Sequence, residues 1–437
     1  MKQTATIIST YAADISGICS AMYELGGMTV MHDASGCNST YNTHDEPRWY
    51  DMDSLVFISG LSETEAILGD DDKLIRDTVA GAKELKPRFI TLGGTPIPMM
   101  TGTDFPAVAY QIERETGIPT FGLNTDGMHS YIAGASKAFA VLAKRICKDN
   151  VPKTEKLSVN ILGATPLDFS INGTIQAMKR ALEAQGIEVY AIWAMSDENR
   201  SEISDLQKCA INKSEYYEET STVEISGVTS DQSAKVPEAE QLTKVSAADL
   251  LFRQIETAAA AHVNLVISAC GLKAAKILWQ RFQIPYVIGT PCGAKFTKKV
   301  VDGIKVAAKS GENKNLLMDY PEAKTVIIGE SVTALSLANA LYEETGNGAK
   351  VLCAVDTERE LFSKGCIEAR DEVELIPHLQ KAEIIIADPM YRPICPKEAR
   401  FFELPHEGFS GRIYRNQIPQ LIDGLDEFIE KIYSCLY

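Results

Sequence analysis

Ten cysteines and six histidines are the residues of this 437-residue chain most suited to metal or redox chemistry. No Cys-x-x-Cys pair occurs, which excludes zinc-ribbon and thioredoxin-type sites, so a metal centre must gather cysteines from distant segments. Cys19, in Asp14-Ile-Ser-Gly-Ile-Cys19-Ser, is expected to start a helix, whose dipole and free N–H groups stabilise a thiolate. Cys37 follows Ser35-Gly36 after a short strand, in a turn that lets backbone approach a bound group closely. Thiolates on turns and helix ends are what an iron–sulfur cluster requires, although by spacing alone both cysteines equally suit ordinary buried thiols. Cys270 closes the apolar run Asn264-Leu-Val-Ile-Ser-Ala-Cys270, and His406 lies in Leu404-Pro-His406-Glu-Gly-Phe. By themselves a cysteine at a buried strand end suits packing and a histidine beside Glu407 suits a hydrogen-bonded structural role. Cys292, after Thr290-Pro291, is expected in an exposed turn.

These residues must be positioned by recurring strand–turn–helix units. Short β-branched runs such as Leu55–Ile58, Phe89–Leu92, Val159–Leu162, Val263–Ser268, Thr325–Ile328 and Ile384–Ile386 alternate with longer helical patterns. That alternation predicts an α/β protein with mainly parallel sheets covered on both faces. Polar linkers at 148–155 and 310–324 divide it into three doubly wound, Rossmann-like domains at 1–150, 151–320 and 321–437. Residues 212–240 break the pattern with seven acidic and two basic residues and little periodicity, and are expected to be a mobile surface insertion.

Several functions are disfavoured. The chain has 43 Lys+Arg against 59 Asp+Glu, a net charge of −16, whereas nucleic acid and anionic membranes demand a basic surface. No apolar run reaches the ~20 residues that span a bilayer, and Met1–Thr10 does not read as a secretory signal, so a cytoplasmic location is expected. There is no Gly-x-x-x-x-Gly-Lys-Ser/Thr loop and no Gly-x-Ser-x-Gly elbow. Ile328-Gly-Glu-Ser-Val-Thr-Ala has one glycine where a dinucleotide fingerprint needs three.

From Cys19 to Ala135 the chain resembles the nitrogenase component 1 family, which includes nitrogenase alpha and beta subunits, cofactor-assembly scaffolds and related reductases. Ser35-Gly-Cys37 resembles the family's cluster-binding turn, Cys19 the cysteine before it, and Gly69-Asp-Asp-Asp-Lys-Leu74 a stretch that follows. In Gly94-Thr-Pro-Ile-Pro98, Thr95 stands where relatives carry a third cysteine. The resemblance therefore implies not an eight-iron cluster but a [4Fe–4S] cluster shared across a subunit interface, with Cys19 and Cys37 from each of two similar subunits. Further along, Cys270 and His406 resemble the two residues that hold a larger iron–sulfur or heterometal cofactor in a central cavity. His129, in Gly127-Met-His129-Ser-Tyr131, resembles a cofactor-side histidine and is the proton-donor candidate.

The resemblance implies a catalytic subunit of a nitrogenase-like two-component reductase acting on a small-molecule substrate. The subunit would form a homodimer, heterodimer or heterotetramer, and a separate ATP-dependent iron–sulfur reductase would supply electrons. The alternatives are a non-catalytic scaffold on which a metallocluster is assembled and a metal-free small-molecule-binding protein.

Overall fold

The computed structural model describes residues 12–36, 46–196, 247–361 and 366–433, so Cys37 and the 212–240 stretch lie outside the described residues. Within them the Val-, Ile- and Leu-rich runs form three all-parallel sheets. The first contains β1 (Met28–His32), β2 (Leu55–Ile58), β3 (Ile90–Gly94) and β4 (Thr120–Leu123), in the order β2-β1-β3-β4. The second contains β5 (Ser158–Leu162), β6 (Glu188–Ile192), β7 (Val263–Val266), β8 (Tyr286–Ile288) and β9 (Lys314–Asn315), in the order β6-β5-β7-β8-β9. The third contains β10 (Thr325–Gly329), β11 (Lys350–Cys353), β12 (Ile367–Glu368), β13 (Ile384–Ala387) and β14 (Arg400–Glu403), in the order β12-β11-β10-β13-β14.

The central strands β1, β3, β5, β7, β10 and β13 are buried along their whole length, because helices cover both faces of parallel sheets. This is the expected α/β, doubly wound class. In each sheet the strand order reverses once, between β1 and β3, β5 and β7, and β10 and β13. The crevice beyond the carboxyl ends of such a strand pair is where doubly wound folds hold ligands.

Two helices join the units at the centre. Asp14–Met22 lies against Tyr131–Arg145 so closely that a Cβ on Gly17 would sit 1.9 Å from the Tyr131 carbonyl oxygen. One on Gly134 would sit 1.7 Å from the Asp14 carbonyl oxygen, so neither position admits a side chain. Among the described residues no helix is long and apolar enough to cross a membrane.

Candidate functional site

At the reversal point of the first sheet, His32 at the end of β1 pairs in register with Gly94 at the end of β3. Thr95 follows directly and is buried, and its hydroxyl has no hydrogen-bond partner among the described residues. The segment leading towards Cys37 leaves β1 beside it. Cys19 is fully buried and packs with Ile15, Met31, Val56 and Ile58. The expectation that Cys19 starts a helix is corrected here. The helix begins at Asp14, which places Cys19 in its second turn, beyond the free N–H groups. Burial, with a smaller contribution from the Glu46 carboxylate, instead pushes this thiol well above its ordinary range.

Arg48 frames this region and is fully buried. Its Nε donates to Glu46 (2.6 Å), Nη1 to Glu24 (2.9 Å) and the Ala194 carbonyl (2.8 Å), and Nη2 to the Ser20 carbonyl (2.7 Å). The guanidinium thus ties the Glu46–Arg48 segment to the helix that carries Cys19.

A second constellation gathers residues from all three units. Asp168 lies in the short helix Pro166–Phe169 after β5, and Cys270 lies in the turn Ala269–Gly271 after β7. Glu330 follows β10, His406 follows β14, and Tyr131 opens the helix after β4. Tyr131 Oη donates to Asp168 Oδ1 (2.5 Å), and Thr165 Oγ1 approaches Oδ2 (3.4 Å). His406 Nε2 stands 3.5 Å from Asp168 Oδ1 and makes no hydrogen bond. Its Nδ1 accepts from the Gly408 N–H (3.1 Å), which leaves the proton on Nε2. Asp388 accepts from the His406 backbone N–H (2.8 Å), and the Phe409 ring stacks on the imidazole at 4.4 Å.

Glu330 caps the helix Ser331–Thr345 with its own carboxylate, accepting from Val332 N (3.0 Å) and Thr333 N (2.9 Å), and also from Ala269 N (3.1 Å). A dinucleotide phosphate would need that same helix terminus, so the chain's own side chain occupies the place. Burial first, and the charge of Asp168 second, raise the Glu330 carboxyl above its ordinary range. Burial likewise pushes the Cys270 thiol well up, with Asp168 adding to the shift, and the Ser268 hydroxyl lies 3.3 Å from its sulfur.

A cavity of about 110 Å³ opens between these groups, lined by Asp168, Glu330, His406, Cys292, Phe409 and apolar side chains from β10 and from residues 418–422. Cys292, expected in an exposed turn, is buried here, and burial pushes its thiol up to about 12. His129 is not brought to this cavity. Its side chain is 43% exposed and its Nδ1 lies 3.2 Å from Asp356, in a surface group that includes Arg370. Tyr131, two residues further on, is the side chain that faces Asp168. The sequence reading missed Asp168, Glu330, Tyr131 and Arg48; for Glu330 the available signal was a polar residue just past a buried strand.

The two regions differ in what they can hold. A soft thiol is the kind of donor an iron–sulfur cluster takes, and it lies with an orphaned buried hydroxyl near a sheet reversal. The inner cavity does not fit a large sulfide-rich cofactor. Such a group is anionic, whereas the lining has two carboxyls and no Lys or Arg. Cys270 is not among the lining residues, and among the described residues no three His, Cys, Asp or Glu side chains come together to hold a metal ion.

Comparison with known proteins adds three findings. A family model described as nitrogenase component 1 type oxidoreductase matches residues 24–371. The nitrogenase molybdenum-iron protein alpha chain of Methanothermobacter thermautotrophicus is 25% identical over 181 residues, which span 37% of this chain and 37% of that protein. Solved structures described as nitrogenase Cp1 at pH 5 and at pH 6.5 superpose with TM-scores of 0.59 and 0.62 at 15% identity. They cover 99% of this chain and 90% and 93% of theirs, and show a shared fold.

Proposed function

Because the chain belongs to the nitrogenase component 1 type oxidoreductases, we propose that it is a catalytic subunit of a nitrogenase-like two-component reductase. In this reading it pairs with a similar subunit and receives electrons from a separate ATP-dependent iron–sulfur reductase. It then delivers them to a small molecule in the inner cavity. The match over residues 24–371 is the observation that carries the reading.

A [4Fe–4S] cluster held by Cys19 and Cys37 of each of two subunits would supply one-electron transfer at the first site. The chain's own residues do the rest. Arg48 holds the Glu46 segment against the Cys19 helix, and the Thr95 hydroxyl, without a partner among the described residues, is a donor available at the end of β3. His406 and Asp168 are proposed to face the substrate, with Tyr131 holding Asp168 from behind and Cys270 buried beyond the lining. Exposed Ile67, Leu68, Met99 and Met100, on the helices Glu63–Leu68 and Pro96–Thr101, offer apolar surface to a partner. This supports an assembly larger than one chain.

The test is anaerobic purification with iron and sulfide analysis and electron paramagnetic resonance. Iron bound by the wild type and lost in Cys19→Ala, but kept in Cys270→Ala, supports the reading; iron-free protein after careful reconstitution sinks it. The scaffold alternative predicts a cluster that transfers to an acceptor protein and no turnover with the reductase and ATP.

A further inference from the structure

The inner cavity has an unusual pairing of walls. One end presents the Asp168 and Glu330 carboxyl groups with His406, while the remainder is built from apolar side chains such as Ile327, Leu404 and Leu421. No Lys or Arg is among the lining residues, and the nearby Arg415 is paired to Glu407 through Nε (2.5 Å) and Nη2 (3.0 Å). We propose that this cavity binds a small primary ammonium ion carrying a short alkyl group.

Three observations lead there. The first is charge: two carboxyl groups line the space, no Lys or Arg does, and the one basic lining residue, His406, has its Nε2 3.5 Å from Asp168 Oδ1 and its Nδ1 accepting a backbone N–H, so an anionic ligand is repelled and a cationic one attracted.

The second is acceptor capacity, since a carboxylate offers about four lone-pair sites. Glu330 Oε1 takes three donors, from Ala269, Ser331 and Val332, whereas Oε2 takes only the Thr333 N–H. Asp168 Oδ1 takes the Tyr131 hydroxyl, and Oδ2 has only the long Thr165 contact at 3.4 Å. Each carboxyl group therefore has an oxygen with room for a further donor. A primary ammonium has three N–H donors to offer such oxygens, whereas an alcohol has one.

The third is shape. The cavity of about 110 Å³ has room for on the order of four water-sized groups, and most of its lining side chains are apolar, which suits a short alkyl tail. A bare metal ion is a poor alternative, because no three ligating side chains converge among the described residues.

The inference rests on the reductase reading only in calling this ligand a substrate, because binding needs no electrons. The experiment is isothermal titration calorimetry on the full-length chain, purified anaerobically, with n-propylammonium, 1-propanol and propionate. The proposal expects one n-propylammonium per chain, with the alcohol and the carboxylate at least tenfold weaker. Asp168→Asn, which removes one charged acceptor, should weaken n-propylammonium binding by about tenfold or more. Ala334→Leu, which fills the cavity, should abolish it. Glu330→Gln, read the same way, stands in if Asp168→Asn does not fold.

Equal binding of 1-propanol, a preference for propionate, or no binding of any of the three overturns the proposal. So does unchanged binding in a folded acidic-residue variant. The reductase reading fails separately, on iron analysis, so the two failures are distinguishable.

Discussion

The reversal point of the first sheet and those of the second and third are built by the same topology and filled in opposite ways. At the first, a fully buried thiol sits among Ile15, Met31, Val56 and Ile58, and the nearest charges are locked into the Arg48–Glu24–Glu46 group. At the others, two carboxyl groups and an imidazole line open space, with a phenol bonded to one of the carboxyls. The difference shows that one fold can present either a thiol enclosed by apolar side chains or a cavity with polar groups in its lining. Which of the two results depends on the few residues placed after each central strand.

The largest effect should come from Arg48→Met. It leaves Glu24 and Glu46 buried without their partner, and we expect a loss of about 3–5 kcal/mol in denaturant unfolding. Hydrogen exchange should report the loss first in residues 14–22 and 46–52, while residues 268–282 keep their protection. Equal loss in both segments would remove the independence of the two regions.

Gly134→Ala tests the element they share. Its Cβ would meet the Asp14 carbonyl, so the two central helices must separate, at a cost of about 3 kcal/mol. Both the Cys19 helix and the Tyr131 end of the cavity should lose hydrogen-exchange protection together. Tyr131→Phe acts on the cavity alone. Removing the donor to Asp168 should cost about 2 kcal/mol in unfolding and leave iron content unchanged.

The smallest effects should separate the regions by sign. Burial lowers the His32 imidazole below its ordinary 6.5, so the folded protein holds fewer protons there than the unfolded chain. Its contribution to stability is present above pH 6.5 and is lost as the pH falls through the lowered value. Burial raises the Glu330 carboxyl above its ordinary 4.5, so its contribution is present below pH 4.5 and is lost as the pH rises through the raised value. Unfolding measured across a pH series should show His32→Gln flattening the acid-side loss and Glu330→Gln removing the opposing slope. The same slope change in both variants would mean that the two sites do not differ as described.

Much of the architecture was legible in the chain. The β-branched runs at Val159–Leu162, Val263–Ser268 and Ile384–Ile386 all contain strands of parallel sheets, because a strand buried on both faces must be apolar throughout. Thr95 in place of a cysteine was equally visible. The helix start was misplaced at Cys19 because Asp14-Ile-Ser-Gly offers no distinctive stop before it, and the true start is set by contact with Tyr131–Arg145. His129 is a proton-donor candidate on chemistry alone; a helix entry turns nearby side chains to different faces, and packing sends His129 to Asp356 and Tyr131 to Asp168. Glu330 was passed over as part of a defective dinucleotide turn, although its carboxylate occupies the helix terminus that such a turn would leave open.

By itself, the order of residues determined the class of fold, the family and the absence of a third cysteine at Thr95. Those properties follow from local periodicity and from residue identity. Only the tertiary structure decided that Cys19 is enclosed while Asp168, Glu330 and His406 line one cavity, with Tyr131 bonded to Asp168. Their positions depend on how three sheets, each reversing its strand order once, are brought together by two helices in backbone contact. No local pattern encodes that arrangement, because the residues that meet belong to different units and are separated by whole strands and helices.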